Sequence, residues 1–248
     1  MTADELTSDA LTASYRLVQR RRGHRFSVDD LATAWEAVHA APDAESFLDL
    51  GCGVGSVLLM VAWRLSTARG FGIEAQDVSV ELARRNVHEN GLGERIRVLH
   101  GDLREVTRDW PHGRCALVTG TPPYLPVGTA SPSPDPQRAA ARLELRGGVE
   151  DYLASAARVL APGGVCVVCA DGRSPERVLR GADAAGLVPV RRVDVVPRAG
   201  RAPLFSVWTC AAASGGALAH DRVVLRDERG ARTEASRAMR RAFGLEGD

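Results

Sequence analysis

The chain has 248 residues and no lysine, so all 32 of its basic side chains are arginine. With 31 acidic residues against them the formal net charge is only +1, and bulk charge singles out no partner. No segment approaches the roughly 20 consecutive apolar residues that a membrane span needs. The opening "MTADELTSDALTAS" is acidic and polar where a secretory signal would be basic and then apolar, so the expected location is the cytoplasm, away from membranes. Six histidines are scattered without paired-ligand spacing, and no metal site is expected. The cysteines number five, an odd count, and Cys52, Cys115, Cys166, Cys169 and Cys210 sit mostly inside apolar runs. Cys166 and Cys169 lie three apart in "GGVCVVCADG", a buried-strand pattern that sends them to opposite faces, so both read as core packing and not as redox or zinc chemistry.

A hydrophobic content of 45% is enough for one large domain with a real core. The arginines are unevenly placed. Arg16, Arg20, Arg21, Arg22 and Arg25 fall in "RLVQRRRGHR", with no acidic residue between Asp9 and Asp29. Such a cluster is either a solvated face or, beside a cleft, a phosphate-binding one.

After this segment "SVDDLATAWEAVHA" reads as a helix, with Ser27 as its cap and acids in its first turn. Strands and helices then alternate. "SFLDL" is a buried strand followed by glycines and the helix "SVLLMVAWRLS"; "GFGIEA" is the next strand, and "VSVELARRNVHEN" is a helix stopped by Gly91. "RIRVLHG" and "CALVTG" are further strands, "VEDYLASAARVLA" is a helix ended by "PGG", and "VCVVCA" is the fifth strand. This alternation predicts a parallel, doubly wound sheet. The short, turn-rich "PRAGRAP" between "VRRVDVV" and "LFSVWTC" cannot hold a crossover helix, so those two strands should pair antiparallel. "SPSPDP" reads as a Pro-rich loop and "AAASGGALAH" as a flexible joint before an arginine-rich tail.

A parallel sheet that finishes in one antiparallel strand resembles the class I methyltransferases. The resemblance implies a Rossmann-like α/β fold with a mostly parallel seven-stranded sheet and helices on both faces. The expected organisation is a basic segment and helix over 1–45, the methyltransferase core over 46–212, and a joint and tail over 213–248 packed on that core.

"FLDLGCGVGS" supplies a strand, a turn and a helix start through Asp49, Gly51, Gly53 and Gly55. Glycines let a backbone approach a ligand closely, and the helix start offers free N–H groups. A G-x-G-x-G turn is weak evidence alone. Two further acids sharpen it: Glu74 ends the second strand, roughly 20 residues on, where a carboxylate can accept both ribose hydroxyls, and Asp102 ends the third, where it can accept an adenine amine. Three acids at successive strand ends around one crevice favour a cofactor site over chance polar loops. Asp49 beside the turn resembles the methyltransferase signature more than the nicotinamide one, and implies S-adenosylmethionine.

"LVTGTPPYLPVG" ends the fourth strand in two consecutive prolines, which cannot continue a ladder beyond about Thr119. A rigid shelf follows, at the sheet edge where ligands bind in such folds. Its "TPPY", Thr121 to Tyr124, resembles the Asn-Pro-Pro-Tyr motif of enzymes that methylate adenine N6, guanine N2 or release-factor glutamine. There a polar side chain and a proline carbonyl, here Thr121 and Pro122 with Pro123 behind, accept the amine's two N–H bonds and Tyr124 stacks on the ring.

Three longer stretches resemble one family, the bacterial tRNA(Val) adenine-N6-methyltransferases: "QRRRGHRFSVDDLATAW", "QRAAARLELRGGVEDYL" with Arg142 and Glu144, and "DRVVLRDERGARTEASRAMRRAF". The resemblance implies a tRNA substrate held by Arg20, Arg21, Arg22 and Arg25, with Arg142 ordering the substrate loop. Thr121 departs from it, since the family has Asn there and a hydroxyl replaces an amide acceptor. The expected function is methylation of adenine N6 in tRNA. The alternatives are a protein glutamine, another RNA base or a small metabolite as acceptor, or a cofactor-binding protein without catalysis.

Overall fold

The computed structural model describes residues 5–212 and 216–245. Leu6–Ala10 (β1) and Arg16–Arg20 (β2) pair antiparallel as a separate two-stranded sheet, so the basic stretch begins as a strand whose centre, Leu17 to Gln19, is buried. Val28–Ala40 (α1) follows, started by the capping box of Ser27 and Asp30.

The main sheet is then built by Ser46–Leu50 (β3), Ser56–Arg64 (α2), Arg69–Glu74 (β4), Asp77–Glu89 (α3), Ile96–His100 (β5) and Cys115–Gly120 (β6). Pro136–Arg142 (α4), Val149–Val159 (α5), Leu160–Asp171 (β7) and Pro175–Ala185 (α6) come next, before Val188–Val196 (β8) and Phe205–Ala211 (β9). The described chain closes with Ala219–Val224 (β10) and Glu234–Arg241 (α7). Strand order is β10-β8-β9-β7-β6-β3-β4-β5. Only β9 runs against its neighbours, pairing antiparallel with both β7 and β8, while the other pairs of the sheet are parallel.

The expected seven strands become eight among the described residues. The addition is β10, drawn from the stretch read as a joint and tail and laid parallel to β8 at the sheet edge. Its mostly exposed "AHDRVV" lacks the apolar run that marks an inner strand. Part of the proposed joint, residues 213–215, and the termini 1–4 and 246–248 lie outside the described residues. The "PGG" after α5 also differs from a simple stop: residues 160 to 165 of β7 oppose only 115 to 117 of β6, so Pro162 and the glycines form a bulge.

Alternation along each strand divides two cores. Phe47, Leu117 and Cys169 face α1, α2 and α3; Leu48, Val118 and Cys166 face α5 and α6. All five cysteines are free and buried. No helix of the described residues is long and apolar enough to cross a membrane.

The chain moves outward from β3 through β4 to β5 and then returns to the other side of β3 with β6. A crevice therefore opens beyond the carboxyl ends of β3 and β6, the place where such sheets bind ligands.

Candidate active site

The turn after β3 has no room for side chains on one side and open space on the other. A Cβ on Gly51, whose φ is +58°, would come within 2.2 Å of the Tyr152 hydroxyl oxygen. Gly53, with φ +56°, has nothing within 4 Å of that position, and its N–H donates to Glu74 Oε2 at 3.0 Å. The backbone is thus bent and pinned beside a cavity of about 860 Å³ that Gly51, Gly53, Glu74 and Asp102 all line. Its other wall is α4, through Gln137, Ala140 and Ala141.

Glu74 is buried, accepts the Gln76 N–H at 2.8 Å with its second oxygen, and has its pKa raised by burial. Asp102 is instead held down by Arg104, which donates from Nε at 2.9 Å and from Nη2 at 2.6 Å. Arg146 lines the same cavity and its charge acts on both acids.

Asp49 and Gly55 are not brought to this wall. Asp49 lies beneath the turn, where Oδ1 accepts the Thr119 hydroxyl at 2.8 Å and Oδ2 accepts the Leu58 N–H at 3.1 Å. Burial pushes its pKa up to about 7. Gly55, at φ +92°, is the N-cap of α2. These two residues shape the turn from behind.

A second cavity of about 1230 Å³ adjoins the first, and Thr121, Pro122, Pro123, Tyr124 and Arg142 line it. Thr121 and Pro123 border both spaces, as do His24 and Asp30. The Tyr124 hydroxyl is anchored, bonding Asp29 Oδ2 at 3.2 Å and sharing a hydrogen with Cys169 Sγ at 3.0 Å. Its ring lies nearly parallel to Phe205, with centroids 6.5 Å apart. Burial raises the phenol pKa well above its usual value, so this tyrosine stays neutral.

The arginines are dispersed. Arg20 pairs with Asp135 at 2.8 Å and so fastens β2 to the start of α4, while Arg25 pairs with Asp9 at 2.9 Å inside the hairpin region. Arg21, Arg22 and Arg142 have exposed side chains. Glu144 is held at 2.6 Å by Arg177, which also grips Glu150 at 2.6 Å and ties the segment after α4 to α5 and α6.

Sequence reasoning missed His24, Asp30, Gln137 and Arg146. Asp30 carried a signal as a first-turn acid, but nothing local marks it as buried. Among the described residues no group of three or more His, Cys, Asp or Glu side chains could hold a metal ion.

Comparison with known proteins adds to this geometry. A family model described as "Methyltransferase domain" matches residues 47–126. The release factor glutamine methyltransferase of Caulobacter vibrioides is 33% identical over 171 residues, 64% of this chain and 57% of that enzyme. The tRNA1(Val) (adenine(37)-N6)-methyltransferase of Tolumonas auensis is 31% identical over 196 residues, 76% of this chain and 77% of that one. Matches to the first curated relatives span about half of their length. In fold, the crystal structure of a predicted O-methyltransferase from Agrobacterium tumefaciens superposes with a TM-score of 0.67 at 18% identity, covering 88% of this chain and 98% of that one.

The chain belongs to the class I S-adenosylmethionine-dependent methyltransferases. Its residues fit that cofactor: the Gly53 side of the turn is open to a ligand, and carboxylates of β4 and the loop after β5 border the same space.

Proposed function

We propose that this methyltransferase acts on a planar nitrogen, the exocyclic N6 amine of an adenine in tRNA. One observation carries the reading: Thr121 and Pro123 stand where the cofactor cavity meets the second cavity. An amine held there faces the donor on one side and has the rest of its base in the larger space. Bound S-adenosylmethionine supplies an electrophilic methyl group.

The chain's own residues would do the rest by position. Gly51 and Gly53 let the backbone approach the cofactor, Glu74 takes its ribose hydroxyls and Asp102 its adenine amine. Thr121 Oγ1 and the Pro122 carbonyl accept the two N–H bonds of the target amine, which favours a pyramidal nitrogen aimed at the methyl group. Pro123 stiffens this shelf, and Tyr124, fixed by Asp29 and Phe205, offers its ring to the base. Arg142 at the rim and the exposed Arg21 and Arg22 are the groups available to phosphates. The similarity to a tRNA1(Val) adenine enzyme over 76% of this chain supports the same reading.

The test is incubation with radiolabelled cofactor and separate unmodified tRNA, protein and metabolite fractions. Label is expected in the tRNA, as N6-methyladenosine; label in protein glutamine instead moves the reading to the chemistry named for the Caulobacter vibrioides relative. Thr121→Val should slow transfer by an amount on the order of 2–4 kcal/mol at the transition state, the usual effect of losing one preorganised hydrogen-bonding group, with cofactor affinity unchanged.

A further inference from the structure

His24 borders both cavities together with Asp30, Thr121, Pro123 and Ala141. Its loop is pinned on both sides: the Arg21 N–H donates to the Glu5 carbonyl at 2.8 Å and the Phe26 N–H to Gln19 Oε1 at 2.9 Å. A Cβ on Gly23 would fall 2.1 Å from Gln137 Oε1, so the loop runs tight against α4, and Gln137 is in turn fastened to Ser79 at 3.0 Å. The imidazole itself is half-buried and makes no hydrogen bond among the described residues.

From this geometry we propose that His24 reads the acceptor base: an imidazole N–H donates to a ring nitrogen beside the target amine and so fixes the plane of the ring. The inference rests on the amine reading above and adds a third bond to it. Thr121 and the Pro122 carbonyl take the two N–H bonds of the amine, and two bonds at one exocyclic atom leave the ring free to tilt. Adenine carries an acceptor on either side of that amine, N1 on one edge and N7 on the other, and neither bears a proton. The matching group is a donor, and an imidazole always has one.

Among the described residues, no other side chain at the junction is free for this. Pro123 and Ala141 have no polar side-chain atom, Thr121 is given to the amine, and Asp30 accepts the Ser27 N–H at 2.9 Å and a bond from the Ser56 hydroxyl, which commits it to joining the starts of α1 and α2. Charge matters as well, because the methyl donor is a sulfonium cation. Burial, the largest influence on His24, lowers its pKa; Asp29 on α1 pulls it up and Arg138 on α4 presses it down. The ring is therefore neutral near pH 7, and it donates without setting a second positive charge beside the sulfonium.

The test uses the full chain, labelled cofactor, and tRNA in which the methylated adenosine, once located, is replaced by 1-deazaadenosine or by 7-deazaadenosine. Each analogue keeps the amine and exchanges one ring nitrogen for C–H. His24→Phe keeps a flat ring without a donor, and His24→Ala covers the case that phenylalanine overfills the loop. Both are expected to lower kcat/KM on ordinary tRNA about tenfold, the effect of one neutral hydrogen bond, and to bind S-adenosylhomocysteine within twofold of wild type by calorimetry, which also reports that they fold. On one of the two analogues the bond is already gone, so wild type and variants should react alike; on the other the tenfold gap should remain. Comparing proteins within each substrate cancels the analogue's own change in reactivity. Variants that match wild type on adenosine overturn the assignment, as does a gap that persists on both analogues. If the wild-type protein binds cofactor but labels no RNA, the adenine reading fails and the role of His24 falls with it; if it labels RNA and either of those results is found, only His24 falls.

Discussion

Replacing Asp49 by Asn tests the account of the turn through its pH dependence. The side chain is 2% exposed and faces no cation; its two bonds come from the Thr119 hydroxyl and the Leu58 N–H. Desolvation outweighs these bonds and lifts the folded pKa to about 7, against 3.8 for an aspartate in water. Below pH 4 both folded and unfolded chains hold the proton, and this group makes stability independent of pH. Between about 4 and 7 the unfolded chain has lost it while the folded chain keeps it, so stability falls as pH rises. Above 7 both are ionised and the loss is complete. Roughly three pKa units at 1.36 kcal/mol each amount to on the order of 4 kcal/mol. Asn keeps an acceptor for Leu58, can turn its NH2 toward the Thr119 oxygen, and never ionises. Urea unfolding of both cofactor-free proteins from pH 4 to 8.5 should therefore show Asp49→Asn gaining on wild type by on the order of 4 kcal/mol across the range. Glu74 and Asp30 titrate in both proteins, and removing the Asp49 charge also eases their ionisation, which adds to the variant's gain as pH rises. A difference that stays constant with pH, or that moves in favour of wild type, refutes the buried, proton-holding Asp49.

Gly53→Ala should cost only about 1 kcal/mol of stability, for a positive φ, yet strongly weaken cofactor binding because its methyl enters the cavity; calorimetry beside thermal unfolding separates the two. Asn86→Leu should destabilise by about 3–5 kcal/mol, since the Val18 N–H, the Val18 carbonyl and the Val54 carbonyl would lose their bonds to one buried amide; chemical denaturation measures it. Arg21→Ala with Arg22→Ala should weaken tRNA binding and flatten its dependence on salt by up to about two units of slope, with cofactor affinity unchanged. An unaltered salt slope would return both arginines to the solvated face.

The elements that sequence resolves best are those whose burial is periodic. "SFLDL" and "CALVTG" coincide with β3 and β6, and "VRRVDVV" with "LFSVWTC" forms the antiparallel pair, because the short "PRAGRAP" permits nothing else. The elements that escape it are short, polar or joined at long range. "LTSDA" has no apolar pattern, and its pairing with "RLVQR" is completed by Asn86, 68 residues beyond Val18. The helix α4 begins inside what reads as a proline-rich loop, although Asp135 as cap and Pro136 at the first helical position are a recognisable start.

The same contrast holds within the site. Glycines and strand-end acids announce themselves locally, because φ above zero and the carboxyl edge of a strand are local properties, and so Gly51, Gly53, Glu74 and Asp102 meet around one cavity. Asp49 belongs to that local pattern yet points elsewhere, for a reason the strand itself contains. Leu48 and Leu50 face α5 and α6, so Phe47 and Asp49 face α1 and α2. Asp49 stands directly opposite Thr119 in the register of β3 and β6, two residues before the turn bends over the sheet edge, and its carboxyl is consequently closed in below the glycines instead of exposed above them. His24 has the opposite history: nothing in "RRRGHR" marks it, because its neighbours at the site, Thr121, Pro123 and Gln137, arrive from about a hundred residues away. A strand's own alternation can thus withdraw a residue from a site, but only the packing of α4 across the crevice can bring His24 into it.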